Sequence, residues 1–273
     1  MKSSFYSFLQ IDSKDQVTKL DSDFVLVIGV MPSKQDGLIE LISKNKKVVY
    51  LSVIEDKAMS GITKFQSRYE AGSEEGVLAI LAKELLSDAD LNRQTKEFFD
   101  NLDDGYISAE CNIGEEELED IQKLYKDAKN PTIVAGYDLY NHPRAKNIAR
   151  LISLLVKYGN FKIYSDDLDL VCDKETKIEL EDVEVLNSFD GSVIYGYPSS
   201  DSDEQELLIG SKQFMMAAKV KDNQDVFVIT NSGEYPRKFI MDKELKGTIA
   251  LMPSAYGDES YYYKIAKIIK RED

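Results

Sequence analysis

Three short apolar runs of strand length constrain this chain more than any other feature. "DFVLVIGV" (Asp23–Val30), "KVVYLSVI" (Lys47–Ile54) and "PTIVAGY" (Pro131–Tyr137) are rich in β-branched residues. Their nearly unbroken apolar character fits strands buried on both faces, as in a parallel sheet with helices above and below. Between the first two runs, "MPSKQDGLIELISKNKK" carries Leu38, Ile39 and Ile42 at helical spacing, with Ser33 as the expected N-cap. Strand, short helix and strand make a βαβ unit of roughly 30 residues.

The helices that follow read from the same periodicity. One is expected from Glu74 to Leu86, with Val77, Ile80, Leu81 and Leu85 on its apolar face and acids in its first turn, where the dipole favours them. A second is expected around Leu91 to Asn101, and "EEELEDIQKLYKDAKN" forms a third. A long helix then carries Ala145, Ile148, Ala149, Ile152, Leu155 and Val156 on one stripe, with Gly159 expected at its C′ position. "FKIYS" adds a short strand. Residues 20–165 therefore predict a doubly wound, mostly parallel α/β domain, preceded by an extension over 1–19. Residues 166–205 read as an acidic connecting segment. Residues 206–273, with short strands "DVFVIT", "NSGEY", "PRKFIMD" and "GTIALMP" between turn residues, read as a small β-barrel-like module. "SKQFMMAAK" is a short helix before them. The tail "SYYYKIAKIIKRED" reads as a terminal helix or strand, and its tyrosine cluster Tyr261 to Tyr263 as packing rather than a ligand site.

Composition removes several classes of function. A net charge of −15 argues against nucleic acid, whose binding needs clustered Lys and Arg, and against anionic lipid. No run approaches the length of a membrane-spanning helix, so no direct membrane insertion is expected. "MKSSFYSFLQIDSKDQ" lacks the apolar block and cleavage site of a secretory signal, which makes the cytoplasm the expected compartment. Cys111 and Cys172 are too few for an iron–sulfur cluster, and a zinc site would have to draw on carboxylates. Both are expected to be inert, half-buried thiols, and no metal site is expected.

The candidate site residues lie at the ends of the strands. Gly29 and Gly136 close two strand–glycine–helix turns where a dinucleotide-binding protein would hold pyrophosphate. Each turn has one glycine where the fingerprint needs three. Gly29, Ser33, Gly136 and Asp138 are thus the crevice candidates, and no catalytic residue is assigned. The single histidine sits in "GYDLYNHPRAKNIARL". A residue before proline is pushed out of the helical region, so His142 is expected outside the helix or at its cap, with Pro143 at the first helical position and Asn141 or His142 capping. The alternative is a bound anion or partner at this helix N-terminus, assisted by Arg144.

These same segments carry a resemblance. "DSDFVLVIGVMPSK…LIELISKNKKVVYLSV…AGSEEGVLAILAKELL" is similar to the central part of the molybdopterin oxidoreductase superfamily. "PTIVAGYDLYNHPRAKNIARLISLL" more specifically resembles the superfamily's representative in bacterial NADH-quinone oxidoreductase, respiratory complex I, a much longer chain that bears iron–sulfur clusters. "ELLIGSKQFMMAAKVKDNQDVFV…KGTIALMP" looks like the superfamily's C-terminal β-barrel module. The resemblance spans roughly residues 20–255 in order, without the iron–sulfur region and the further α/β domain of the cofactor-binding members. It implies a shortened, cofactor-free scaffold in the peripheral arm of complex I, at the cytoplasmic face of the cell membrane. Iron–sulfur clusters are then expected on the partner subunits, with a protein electron donor nearby. The alternatives are a molybdopterin-class oxidoreductase binding a pterin cofactor, and a small-molecule-binding α/β module using the sheet's switch-point crevice.

Overall fold

A computed structural model of the chain describes residues 2–165, 178–186, 189–254 and 260–271. The chain divides into two compact units, Met1–Asn187 and Ser188–Asp273.

The first unit runs α1 (Lys2–Phe8), β1 (Gln16–Val17), β2 (Phe24–Ile28), α2 (Leu38–Ser43), β3 (Val48–Ser52), β4 (Phe65–Arg68), α3 (Glu74–Leu85), α4 (Arg93–Asp100), α5 (Asp104–Cys111), α6 (Glu115–Tyr125), β5 (Pro131–Ala135), α7 (Tyr137–Tyr140), α8 (Ala145–Gly159) and β6 (Lys162–Tyr164). Its six strands pair in the order β1-β6-β5-β2-β3-β4, and every pair is parallel. β2, β3 and β5 are buried at every residue, as their unbroken apolar runs require. Val25, Val27, Val48, Tyr50 and Val134 pack with Leu38 and Ile42 of α2. Phe24, one residue out of phase with Val25, meets Tyr125 of α6 and Phe161 edge-on. The sheet is therefore covered on both faces, and the α/β doubly wound class holds.

Several local expectations are corrected. Ser33 does not cap α2: Pro32–Lys34 form a single 3-10 turn, and α2 starts only after Gly37, whose φ of 71° suits glycine. Gly159 is the last helical residue of α8, and Asn160 takes the left-handed position at φ 55°. Glycine is needed at 159 for packing instead, because a Cβ there would lie 3.0 Å from Phe161 and from the Tyr125 hydroxyl. The polar region after α3 holds two helices, each opened by an acceptor side chain: Asn92 takes the Thr95 N–H and Asp103 takes the Tyr106 N–H. Residues 1–19, expected as an extension, supply α1 and the edge strand β1. Phe5 and Tyr6 are fully buried and pack on Tyr140, tilted and edge-on respectively, with ring centroids 4.8 and 5.9 Å away. α1 also covers α8, where the Gln10 N–H donates to Ser153 Oγ at 2.9 Å. That is why α8 is buried nearly all round rather than on one stripe.

The second unit contains β7 (Val193–Pro198), β8 (Leu207–Gly210), α9 (Lys212–Ala217), β9 (Asp225–Thr230), β10 (Gly233–Met241), β11 (Ile249–Ser254), β12 (Tyr263–Ile265) and β13 (Lys267–Lys270). They form one curled sheet in the order β12-β7-β11-β8-β10-β9-β13. β12 and β13 are separated only by Ala266 and lie at opposite ends of that order, so the terminal segment borders both edges, as in a barrel. β7 belongs to this sheet, paired in parallel with β11, although it falls in the stretch read as connecting. "NSGEY" and "PRKFIMD" are one strand, β10. Pro236 is tolerated because β8 joins β10 only from Lys238 onward. The tail is strand rather than helix, and Tyr262 and Tyr263 pack on Tyr195 at centroid distances of 5.8 and 4.7 Å.

Candidate functional site

In open α/β sheets, ligands bind beyond the carboxyl ends of the strands, where the strand order reverses. Here β3 and β4 lie on one side of β2, while β5 and β6 lie on the other, so the reversal falls between β2 and β5. Three of the crevice candidates, Gly29, Gly136 and Asp138, meet at this point. Ser33 is not among them: it lies on the turn after β2, and its N–H donates to Asp56 Oδ2 at 2.8 Å.

The crevice is filled by the chain itself. The Gly136 N–H donates to Ile28 O and the Asp138 N–H to Gly29 O, both at 3.0 Å. A Cβ on Gly136 would lie 2.1 Å from Gly29 O, and one on Gly29 would lie 2.5 Å from Leu139 Cγ. Leu139 is fully buried. Two phenols tie down the flanking carbonyls: Tyr50 donates to Val30 O at 3.1 Å and Tyr140 to Ala135 O at 2.5 Å. Burial, with a smaller contribution from the Asp138 charge, raises the Tyr50 and Tyr69 hydroxyls well above the usual phenol range. The space left beside Gly136, Tyr137 and Tyr140 is about 10 Å³, enough for a water molecule at most. A dinucleotide does not fit this crevice as it stands. A larger basin of about 420 Å³ lies past β3 and β4, lined by polar groups including Lys57, Ser60, Gln66, Arg68 and Asn112.

The other two candidates, His142 and Arg144, lie in the turn between α7 and α8. Pro143 is not the first residue of α8, which begins at Ala145 with Arg144 in the cap position. Neither Asn141 nor His142 caps the first turn: no side chain makes a cap bond there, and His142 Nδ1 instead accepts the N–H of the cap residue Arg144 at 3.0 Å. With Nδ1 as acceptor, the neutral ring carries its proton on Nε2. Nε2 lies 3.3 Å from Gly72 O and 3.4 Å from Glu74 Oε2. Burial, reinforced by the Arg144 charge, lowers the His142 pKa to about 4.

The anion at this helix start is supplied by the protein. Arg144 Nε lies 3.0 and 3.2 Å from the two oxygens of Glu75. Asn147 Nδ2 donates to the same carboxylate at 2.7 Å. Glu74 and Glu75 are 0% and 1% exposed, which is rare for glutamate unless paired. Burial raises the Glu75 pKa even though Asn147 and Arg144 pull it down. The other end of the Arg144 fork holds Glu181 and Glu184, both at 2.9 Å. Glu74, Glu75 and Asn147 escaped the sequence reading. The acids looked like first-turn dipole partners, but Asn147 carried a signal, being polar beside the apolar stripe at Ile148 and Leu151.

Cys111 is buried, and its thiol is pushed up to about 11 by desolvation. Cys172 lies outside the described residues. Among the described residues, no three or more His, Cys, Asp or Glu side chains are grouped to hold a metal ion, and no helix is long and apolar enough to cross a membrane.

Fold and site thus define a doubly wound α/β unit with a closed switch point, followed in the chain by a curled β unit. No protein-family model matches the chain, and no curated protein matches it.

The buried histidine makes a pH prediction. Its folded pKa lies below the unfolded value of 6.5, so the unfolded chain binds the proton first. Stability tied to His142 is complete above pH 6.5, and falls as the pH drops towards 4. The loss is about 3 kcal/mol by pH 4, at 1.36 kcal/mol per pKa unit. His142→Asn keeps an acceptor for the Arg144 N–H and removes the titration. Urea unfolding across that range should show wild type losing about 3 kcal/mol more than the variant. The opposite-signed contribution of Glu75 is common to both proteins, and parallel pH profiles would refute the assignment.

Proposed function

We propose that the chain is a non-catalytic accessory subunit of the peripheral arm of a bacterial complex I. In this reading it is a cofactor-free scaffold bound to the cluster-bearing subunits at the cytoplasmic face of the membrane. The observation that carries the reading is the resemblance of "PTIVAGYDLYNHPRAKNIARLISLL" to the corresponding segment of complex I's molybdopterin-superfamily chain. The closed crevice supports it, since Leu139 and the Gly29–Gly136 contact occupy the position a bound nucleotide would need.

Affinity purification of the tagged full chain from its native membranes is expected to recover other subunits of the peripheral arm. Their absence under conditions that keep the complex intact would reject the proposal. The alternative is a molybdopterin-class oxidoreductase that binds a pterin cofactor. Release of a fluorescent pterin from the purified chain would establish it in place of the scaffold reading. The switch-point crevice expected for a small-molecule-binding module is filled, and the one feature that favours such a module is a different one, the polar basin past β3 and β4. Stabilisation of the purified chain against heat by a small polar metabolite, lost in Arg68→Ala, would support that reading.

A further inference from the structure

Residues 178–186, "IELEDVEVL", have no regular secondary structure, yet their backbone polar groups have specific partners. The Glu181 N–H donates to Asn147 Oδ1, and Asn147 Nδ2 donates back to Glu181 O, both at 2.9 Å. Arg144 Nη2 donates to Asp182 O at 2.9 Å. The Glu184 N–H reaches Glu75 Oε2 at 3.4 Å, and the Leu186 N–H reaches the Tyr106 hydroxyl at 3.3 Å. Backbone bonds that helices and strands satisfy internally are met here by side chains of α3, α5 and α8. This is how a protein holds an extended peptide. A side-chain amide pairs with one residue's N–H and C=O, and a guanidinium reads the nearby carboxylates.

The segment also underfills its seat. Beside it runs a groove of about 340 Å³, lined by Phe98, Leu102, Tyr106 and Ile107 on one side and by Val183 and Val185 on the other. Val185 is 81% exposed, and on the facing wall Phe98 and Leu102 stay half-buried and Tyr106 exposed, so the groove has apolar surface left to cover. Asp103, Asp182 and Glu184 edge the groove.

We propose that the α3–α5–α8 surface is a binding site for an extended acidic segment of a partner protein, and that residues 178–186 occupy it in cis. The partner segment keeps glutamates at the positions of Glu181 and Glu184, where Arg144 reads them, and carries bulky apolar side chains at those of Val183 and Val185, which fill the groove. It exchanges with the resident strap. The resident segment is tethered, and a tether of this kind acts at an effective concentration on the order of millimolar. A competing segment of equal contacts therefore binds poorly, and an incoming chain displaces the strap only through the added apolar contacts. This holds whether or not the chain serves in a respiratory assembly.

The test uses the full chain and fluorescein-labelled peptides of residues 178–186, read by fluorescence anisotropy. Glu181→Lys with Glu184→Lys loosens the strap, because both side chains are substantially exposed and face Arg144, with Arg150 and Lys146 also near Glu181. This double variant is expected to bind the unmodified peptide at least tenfold more tightly than wild type does. A peptide with Val183→Phe and Val185→Leu should bind it at least tenfold more tightly again. Adding Tyr106→Phe, at a partly exposed position, should weaken binding several-fold without altering the melting transition. Equal binding by wild type and the loosened variant, or no gain from the larger side chains, overturns the proposal.

Discussion

Gly136→Ala is expected to yield little or no folded protein. The backbone at Gly136 has φ −110° and ψ −176°, a region open to any residue, so the effect is purely one of space. The added methyl would sit 2.1 Å from Gly29 O and 2.3 Å from Val30 Cβ. Neither obstacle is the flexible end of a side chain; both belong to the backbone turn just past β2, a strand that is hydrogen-bonded to β5 and β3 on its two sides. The two segments would have to separate, breaking the bonds from the Gly136 N–H to Ile28 O and from the Asp138 N–H to Gly29 O. Overpacking at a site that cannot relax belongs with the largest single-residue effects, above about 4 kcal/mol and comparable to the total stability of many domains. Gly37→Ala is the control. Its φ is 71° and nothing lies within 4 Å of the added Cβ, so only backbone strain of about 1–2 kcal/mol applies. Urea unfolding of the two variants should separate them clearly. A Gly136→Ala protein with a wild-type midpoint would mean that the two segments can separate and the switch point can open.

How legible this was follows from which interactions have a local signature. The three buried strands and the helices over 74–86 and 145–159 announce themselves through unbroken apolar runs and helical spacing, both properties of neighbouring residues. β1 and β4 did not, since "QV" and "FQSR" have no apolar pattern and become strands only by pairing with β6 and β3. The candidate glycines were found for the right position and the wrong purpose. A strand ending in glycine marks a close approach of backbone, but not whether a phosphate or another loop makes that approach. Leu139, which decides the matter, looks in sequence like any helical leucine. The cluster around Arg144 was hidden for a different reason. Its members come from three separated stretches, Glu75, Arg144 with Asn147, and Glu181, and meet only through the packing of α3 on α8 and of the 178–186 segment against both. In a chain with 49 acidic residues, nothing marks which glutamate will be buried.

Arg144→Met should destabilise the protein by about 3–5 kcal/mol at neutral pH, the usual result of leaving one member of a buried ion pair behind. Glu75 is 1% exposed and already titrates high because of burial, with Arg144 among the groups holding it down. Removing the guanidinium raises the Glu75 pKa further. A carboxyl whose folded pKa lies above its unfolded value favours the folded state at low pH, and that contribution disappears as the pH rises through the folded pKa. The deficit of Arg144→Met relative to wild type should therefore be largest above neutrality and shrink towards pH 5. Relief of the Arg144 repulsion on His142 acts in the same direction, so the two must be separated. Glu75→Gln does this by removing the buried charge while keeping an amide acceptor for Asn147. In the Arg144→Met background it should recover a large part of the lost stability, whereas in wild type it should destabilise. Arg144→Lys should fall between, because an ammonium can meet Glu75 but cannot also span Glu181, Glu184 and the Asp182 carbonyl. Limited proteolysis reports the other half of the fork. Cleavage within 178–186 should accelerate in both Arg144 variants, and the Glu75→Gln change should not slow it, since it restores none of the bonds from Arg144 to the strap.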